Sequence, residues 1–198
     1  LERQQKADLT PDVPDDLRAI YGVFVNKKAV CAGYAKAFQY LLNLCGIECT
    51  YVTSDTHAWN LIKLEGDYYH IDVTWGDSSD TKKDKPQTDA VNYDCFCITT
   101  EELARLELHT PDNVLPIPKC TATKCNYHIR HGLYFDSYDF GRVKSIVCES
   151  VKLNKFDVSF KFGSSKAFNE AKKQLVDDGK FREVIQFAAL KNSIKLNP

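Results

Sequence analysis

The sequence contains no methionine and only two tryptophans, and its nine glycines and seven prolines are spread thinly over 198 residues. Charge of neither sign dominates: 26 Lys and Arg stand against 27 Asp and Glu, a formal net charge of −1 with a pI near 6.6. That balance excludes the broad electropositive footprint on which binding to nucleic acid or an anionic membrane depends. Lys82, Lys83 and Lys85 come closest to a basic patch, but Asp80 and Asp84 interleave with them, as in a solvated loop. Long hydrophobic runs are missing too. No stretch approaches the roughly 20 apolar residues of a membrane span, and no basic-then-apolar leader opens the chain. With Leu1 first and no methionine anywhere, the chain reads as a fragment or trimmed form whose leader, if it had one, is gone.

What is present is ordinary for a globular protein: 43% hydrophobic, 27% charged and 12% aromatic residues. The length suits one core, or a core with a small appendage. Eight cysteines are many for it. A small secreted scaffold would use them as staples, but a chain this rich in core formers has no such need. Cys45, Cys95, Cys97 and Cys148 lie in apolar segments and are expected to act as small buried hydrophobes, with most thiols free.

Hydrophobic spacing gives the elements. Residues 1–17 are polar and proline-containing, a lead-in, and residues 17–25 suit a short helix breaking near Gly22. After Cys31, the residues Tyr34, Phe38, Leu41, Leu42 and Cys45 recur on one helical face, alanines favour helix, and Gly46 suits the stop. Strands are expected over 48–53, 58–64 and 68–74, the last two forming a hairpin around Glu65-Gly66-Asp67. A loop over 76–90, a strand over 93–98 and a helix capped by Thr100 follow. Prolines make 111–126 irregular. The remainder suggests a helix over 140–153, a strand over 156–162, a helix from Ser165 to about Asp178 stopped by Gly179, and a last helix over 181–191.

Cys31 therefore sits at a helix start, where partial positive charge and outward N–H groups favour a thiolate over the thiol, whose ordinary pKa is about 8.5. Its own N–H would point to a developing oxyanion. Such a nucleophile needs a histidine as ion-pair partner and proton donor, and a carboxylate to hold that histidine's second nitrogen. His57 opens the first hairpin strand and Asp72 lies near the end of the second, so the hairpin brings them to one end and one face. A plain two-residue turn would leave them about four residues out of register, which calls for a bulge or wider loop.

Three blocks carry this chemistry: Ala29-Val-Cys31-Ala-Gly-Tyr-Ala-Lys-Ala-Phe38, Thr56-His57-Ala-Trp-Asn60 and Tyr69-His-Ile-Asp72-Val-Thr-Trp-Gly-Asp77. In residue type and order they resemble the transglutaminase-like superfamily, and within it bacterial members found in secreted or cell-surface proteins. The resemblance covers about residues 17–77. It implies an α+β, papain-like fold with the nucleophile helix packed on an antiparallel sheet, and a catalytic triad of Cys31, His57 and Asp72. Members carry helices upstream of the nucleophile block, whereas here Cys31 follows 30 mostly polar residues, leaving Tyr21 as a speculative second oxyanion donor. No cofactor is implied. The reaction implied is acyl transfer from a peptide, protein or cell-wall peptide amide through a thioacyl intermediate, more hydrolysis than cross-linking, at the cell surface or outside it.

Plainer readings stand beside these. Cys31 could be a core cysteine at a helix start, and Asp72 could simply cap a turn. Trp59 and Trp75 suit a core or a cleft wall, with substrate contact as the sharper reading. His70 shares a face with Asp72 and suits a satisfied structural role. Cys120, Cys125, His128 and His131 could in principle bind zinc, but their spacing matches no finger pattern, and a Cys120–Cys125 disulfide or free thiols are simpler. Residues 1–118 are expected to form the catalytic core and residues 119–198 a small C-terminal α/β appendage. The alternative function is a non-catalytic surface module that binds peptide or glycan in the same fold.

Overall fold

A computed structural model describes residues 2–3, 13–77, 91–106, 110–111, 116–153, 158–180 and 182. The chain divides into two units, residues 1–130 and 131–198. The expected helix over 181–191 and nearly all of the 76–90 loop lie outside the described residues.

In the first unit β1 (Glu2–Arg3) pairs in parallel with β2 (Lys28–Ala29). Between them the single short helix expected over 17–25 is instead two separate turns, a 3-10 turn at Asp15–Arg18 and a π-helical turn at Gly22–Asn26. Gly22 starts the second rather than breaking the first. A Cβ there would sit 2.6 Å from both the Asp16 and Lys28 carbonyl oxygens, so the crossing chains admit only glycine.

Helix α1 (Cys31–Leu44) follows at once. It ends as a Schellman motif: Gly46 takes φ 73°, its N–H reaches the Asn43 carbonyl, and the Ile47 N–H reaches Leu42 at 2.9 Å. The face it buries matches the spacing-based one in part: Tyr34 is buried, and Phe38 and Leu42 pack against the core. Cys31 to Ala35 and Ala37 are buried, whereas Leu41 and Cys45 are exposed. The first turns are small-residue turns closed in by Leu17, whose carbonyl lies 2.4 Å from where a Gly33 Cβ would be. The large apolar residues come later, past that cover. Cys45 is the C-cap and not a core residue.

The central sheet is antiparallel, with β4 (Ala58–Leu64) between β3 (Cys49–Thr53) and β5 (Asp67–Ile71). The hairpin closes through Glu65 and Gly66 at φ 51° and 87°, the left-handed pair of a type I′ turn. Alternation along β4 sorts its two faces. Ala58 joins the cluster of Cys31, Ala35 and Leu17, the Asn60 side-chain N–H donates to the Ala35 carbonyl, and Ile62 packs with Phe38 and Leu42, so this face carries α1. Trp59 and Leu61 turn the other way, onto Val52, Ile98, Leu103 and Cys120.

Three boundary corrections follow. β5 stops at Ile71 instead of Thr74, because the Asp72 side chain caps a helical turn, α2 (Val73–Gly76). The strand expected over 93–98 reduces to a bridge between Ile98 and His70. There the Asp72 N–H donates to Cys95 while His70 and Ile98 exchange bonds. That places an extra residue on the 95–98 side, with Cys97 left-handed at φ 56°, which is bulge geometry. Helix α3 (Thr100–Leu103) is capped by Thr99, not Thr100, in a capping box with Glu102. The segment from 116 to 126 has no regular element, and α4 (Tyr127–Arg130) closes the unit.

None of the eight cysteines is in a disulfide. Cys120 packs beside Trp59, and Cys125 lies in a different cluster with Cys49, Cys97 and Tyr69. Among the described residues, no group of His, Cys, Asp or Glu is gathered as a metal site, and no helix is long and apolar enough to cross a membrane.

In the second unit, β6 (Tyr134–Phe135) and β7 (Lys161–Phe162) pair in parallel across α5 (Phe140–Lys152), and α6 (Ser165–Lys172) follows. The core is Phe135, Val143 and Val147 with Phe160 and Phe162. Arg142 lies 4.4 Å over the Phe135 ring and donates to the Gly132 carbonyl. The chain is thus a mixed α and β protein built round an antiparallel three-stranded sheet.

Two outcomes follow. Burial pushes the Cys49 and Cys120 thiols up to about 11 and Cys97 up to about 12. Unfolding lets them ionise at their ordinary value, so the unfolded chain releases protons first, and stability should fall from about pH 9 until these folded-state values are passed. Urea midpoints measured under reductant from pH 8 to 11 check this, and a flat profile would contradict it. Gly33→Ala should cost about 1–3 kcal/mol, read in the same urea titration at pH 7, because the obstructing atom is backbone.

Candidate active site

His57 is fixed by the turn that precedes β4. Its N–H donates to Ser54 Oγ at 3.1 Å, and its carbonyl accepts from the Ser54 N–H at 2.9 Å. Asp72 is the first residue beyond β5. The hairpin register pairs Asn60 with Ile71, so continuing it sets position 72 opposite Trp59 and His57 opposite position 74. The offset is two residues rather than about four, and no bulge or wider loop in the hairpin is required. The two residues are diagonal neighbours on one face, within reach of an imidazole and a carboxylate.

They meet: His57 Nε2 lies 2.6 Å from Asp72 Oδ2. The other carboxylate oxygen, Oδ1, accepts the N–H groups of Thr74 at 2.8 Å and Trp75 at 3.1 Å. An aspartate that accepts on both oxygens is suited to its ionised form, which has no proton to give. Nε2 of His57 then carries the hydrogen and donates it, and Nδ1 is the nitrogen that can accept.

Cys31 is the first residue of α1 and packs in one cluster with Ala58, the neighbour of His57. β4 begins and β5 ends at this same edge, so Cys31, His57 and Asp72 all stand at one end of the sheet. All three are closed off, with 0%, 2% and 3% of their surface exposed, and Leu17 and Val13 pack in the Cys31 cluster. The first turn of α1 leaves N–H groups and partial positive charge at the helix end where Cys31 stands.

The aromatic neighbours divide. Trp59 stacks on His57, centroids 6.2 Å apart and planes 17° apart, and is only 1% exposed, inside the core. Trp75 is half-buried, tilted 58° to the same ring at 6.3 Å. Tyr21 is 53% exposed at the head of the π-helical turn. Sequence reasoning missed Ser54, and it missed the bond from the Tyr34 hydroxyl to Asp77 that ties α1 to the end of α2. Tyr34 stands one helical turn after Cys31, and that spacing was the available signal.

The chain is similar to a mammalian peptidase. Over 130 residues it is 28% identical to the kyphoscoliosis peptidase of Mus musculus, covering 57% of this chain and 18% of that protein. Over 104 residues it is 32% identical to the kyphoscoliosis peptidase of Homo sapiens, covering 44% of this chain and 15% of that one. It thus spans less than a fifth of the length of either relative. No family model matches.

The double duty of Asp72 gives a stability prediction. Asp72→Ala removes the acceptor of a buried histidine N–H and the cap of α2, for a loss of about 2–4 kcal/mol. Asp72→Asn keeps an oxygen for the cap and should lose less, by about 1 kcal/mol or more. Urea unfolding at pH 7 compares them, and equal losses would show that the cap contributes nothing separable.

Proposed function

We propose that the chain is a cysteine peptidase or acyltransferase of the transglutaminase-like superfamily, on a papain-like α+β core with Cys31 as nucleophile, His57 as general base and acid, and Asp72 as the residue that orients His57. The observation that carries this reading is the 2.6 Å His57–Asp72 bond standing at the end of the sheet where α1 begins with Cys31. The similarity to a protein named a peptidase supports it.

In this mechanism His57 Nδ1 takes the Cys31 proton, and the thiolate, favoured by the helix start, attacks the amide carbonyl. The Cys31 N–H faces the oxyanion that forms. His57 then passes its proton to the departing amine, leaving a thioacyl enzyme, while Asp72 keeps the ring in the required tautomer and stabilises the imidazolium. Water completes hydrolysis, and an amine in its place completes transfer. Hydrolysis of a peptide, protein or cell-wall peptide bond, outside the cell or on its surface, is the reading we adopt.

One observation favours a second reading, a non-catalytic module that binds peptide or glycan: the near-complete burial of all three residues. Thiol chemistry separates the two. Iodoacetamide in limiting amount at about pH 6 should modify Cys31 faster than exposed Cys45. Cys49, Cys97 and Cys120, held protonated by burial, should stay silent. Labelling that simply follows exposure would sink the enzyme. Turnover of a peptide library should vanish in Cys31→Ala with folding intact and fall less in Asp72→Asn, by on the order of a hundredfold to ten-thousandfold.

A further inference from the structure

His70 lies on β5 two residues before Asp72 and is fully buried. Its Nδ1 is 3.3 Å from the Trp59 indole nitrogen, and its Nε2 is 3.2 Å from Thr100 Oγ1, which also accepts the Cys120 N–H at 2.8 Å. An indole nitrogen can only donate. Nδ1 must therefore accept, and the imidazole is in the tautomer whose hydrogen is on Nε2, donating to Thr100. The indole held in this way is the one stacked on His57. The order of contacts runs Thr100, His70, Trp59, His57, Asp72, and every side chain between the ends is buried.

We propose that His70 is a positioning residue for the Cys31–His57 pair: by accepting the Trp59 indole N–H it fixes the ring that sets the plane of His57. This rests on the function proposed above. Asp72 holds His57 at Nε2, and that bond by itself does not oppose rotation of the ring about the bond axis. The flat face of Trp59, 17° from parallel, opposes that rotation, and an indole free to turn about its own side-chain bonds would not. Core packing confines the Trp59 indole, and the bond to His70 fixes its orientation within that packing. The pattern also accounts for a histidine here in place of the apolar residue that a buried strand position favours: an apolar side chain would leave the buried indole N–H of this bond without its acceptor.

The test uses the whole chain. Nitrogen-15 spectra of the wild-type protein at pH 7 should show His70 protonated on Nε2 with Nδ1 a hydrogen-bond acceptor; a proton on Nδ1 overturns the proposal. Iodoacetamide alkylation of Cys31 is then followed from pH 5 to 10. His70→Phe should slow the reaction at pH 6 by on the order of tenfold, moving its acid limb to higher pH, with the difference shrinking toward the alkaline end of the range. His70→Asn, whose side-chain oxygen can stand in for Nδ1, should restore most of the rate. Trp59→Phe removes the same bond from the other side and should reproduce the loss, which serves if His70→Phe does not fold. A wild-type Cys31 no faster than Cys45 at pH 6 overturns the thiolate reading and the positioning role with it. A fast wild type whose profile His70→Phe and Trp59→Phe leave unmoved overturns the positioning role alone.

Discussion

Both oxygens of Asp72 are committed, and the local architecture hangs on that commitment. Oδ1 takes two backbone N–H groups and so ends β5 and begins α2. Oδ2 takes His57. A carboxylate used on one side only could swing about its side-chain bonds. Here the backbone of α2 holds one oxygen still, and the other is aimed by default. The Tyr34–Asp77 bond then secures the far end of α2 to α1. A short helical turn thus links the start of the Cys31 helix to the end of the strand that delivers Asp72.

Helix α1 meets its surroundings with small side chains. Gly33 and the alanines at 32, 35 and 37 let the preceding chain and the sheet approach closely. Close approach places Cys31 against Ala58 and Leu17, and it also shuts the thiol away from water. A dry site strengthens any charge pair formed within it, and any molecule that reaches the thiol must displace part of the cover. Of the larger apolar residues of the same helix, Phe38 and Leu42 pack on the sheet, and Leu41 and Leu44 stay at the surface.

Much of this was legible in the sequence. The hairpin turn is announced by Glu65-Gly66, the helix stop by Gly46, and the strands by their β-rich runs. The hairpin brought His57 and Asp72 to one end and one face, and the motif blocks joined Cys31, at its helix start, to them. What could not be read were features decided by partners distant in sequence. Spacing alone put Leu41 and Cys45 inside, because nothing in the helix reports that Leu17 covers its beginning while Leu41, Leu44 and Cys45 stay exposed. A strand through Thr74 was the local preference, overridden by one side-chain cap. Cys97 entered a left-handed bulge for which only its neighbour β5 gives a reason. Trp59 and His70 each looked like separate core residues, and only their 3.3 Å contact joins them.

The turn at Glu65 and Gly66 has a bearing on how such a sequence can change over time. It lies at the far end of β5 from Asp72, about 17 Å away along five strand residues. Lys124 brackets it, donating to the Glu65 carbonyl and pairing with Asp67 at 3.0 Å. Its length fixes which face every residue of β5 presents. An insertion or deletion of one residue there would turn Asp72 and His70 away together and bring Ile71 round to His57, although every residue of the site was still present. Tolerated length changes in this hairpin should therefore come in pairs or carry a compensating bulge, which makes a surface loop remote from the chemistry as constrained as the chemistry itself.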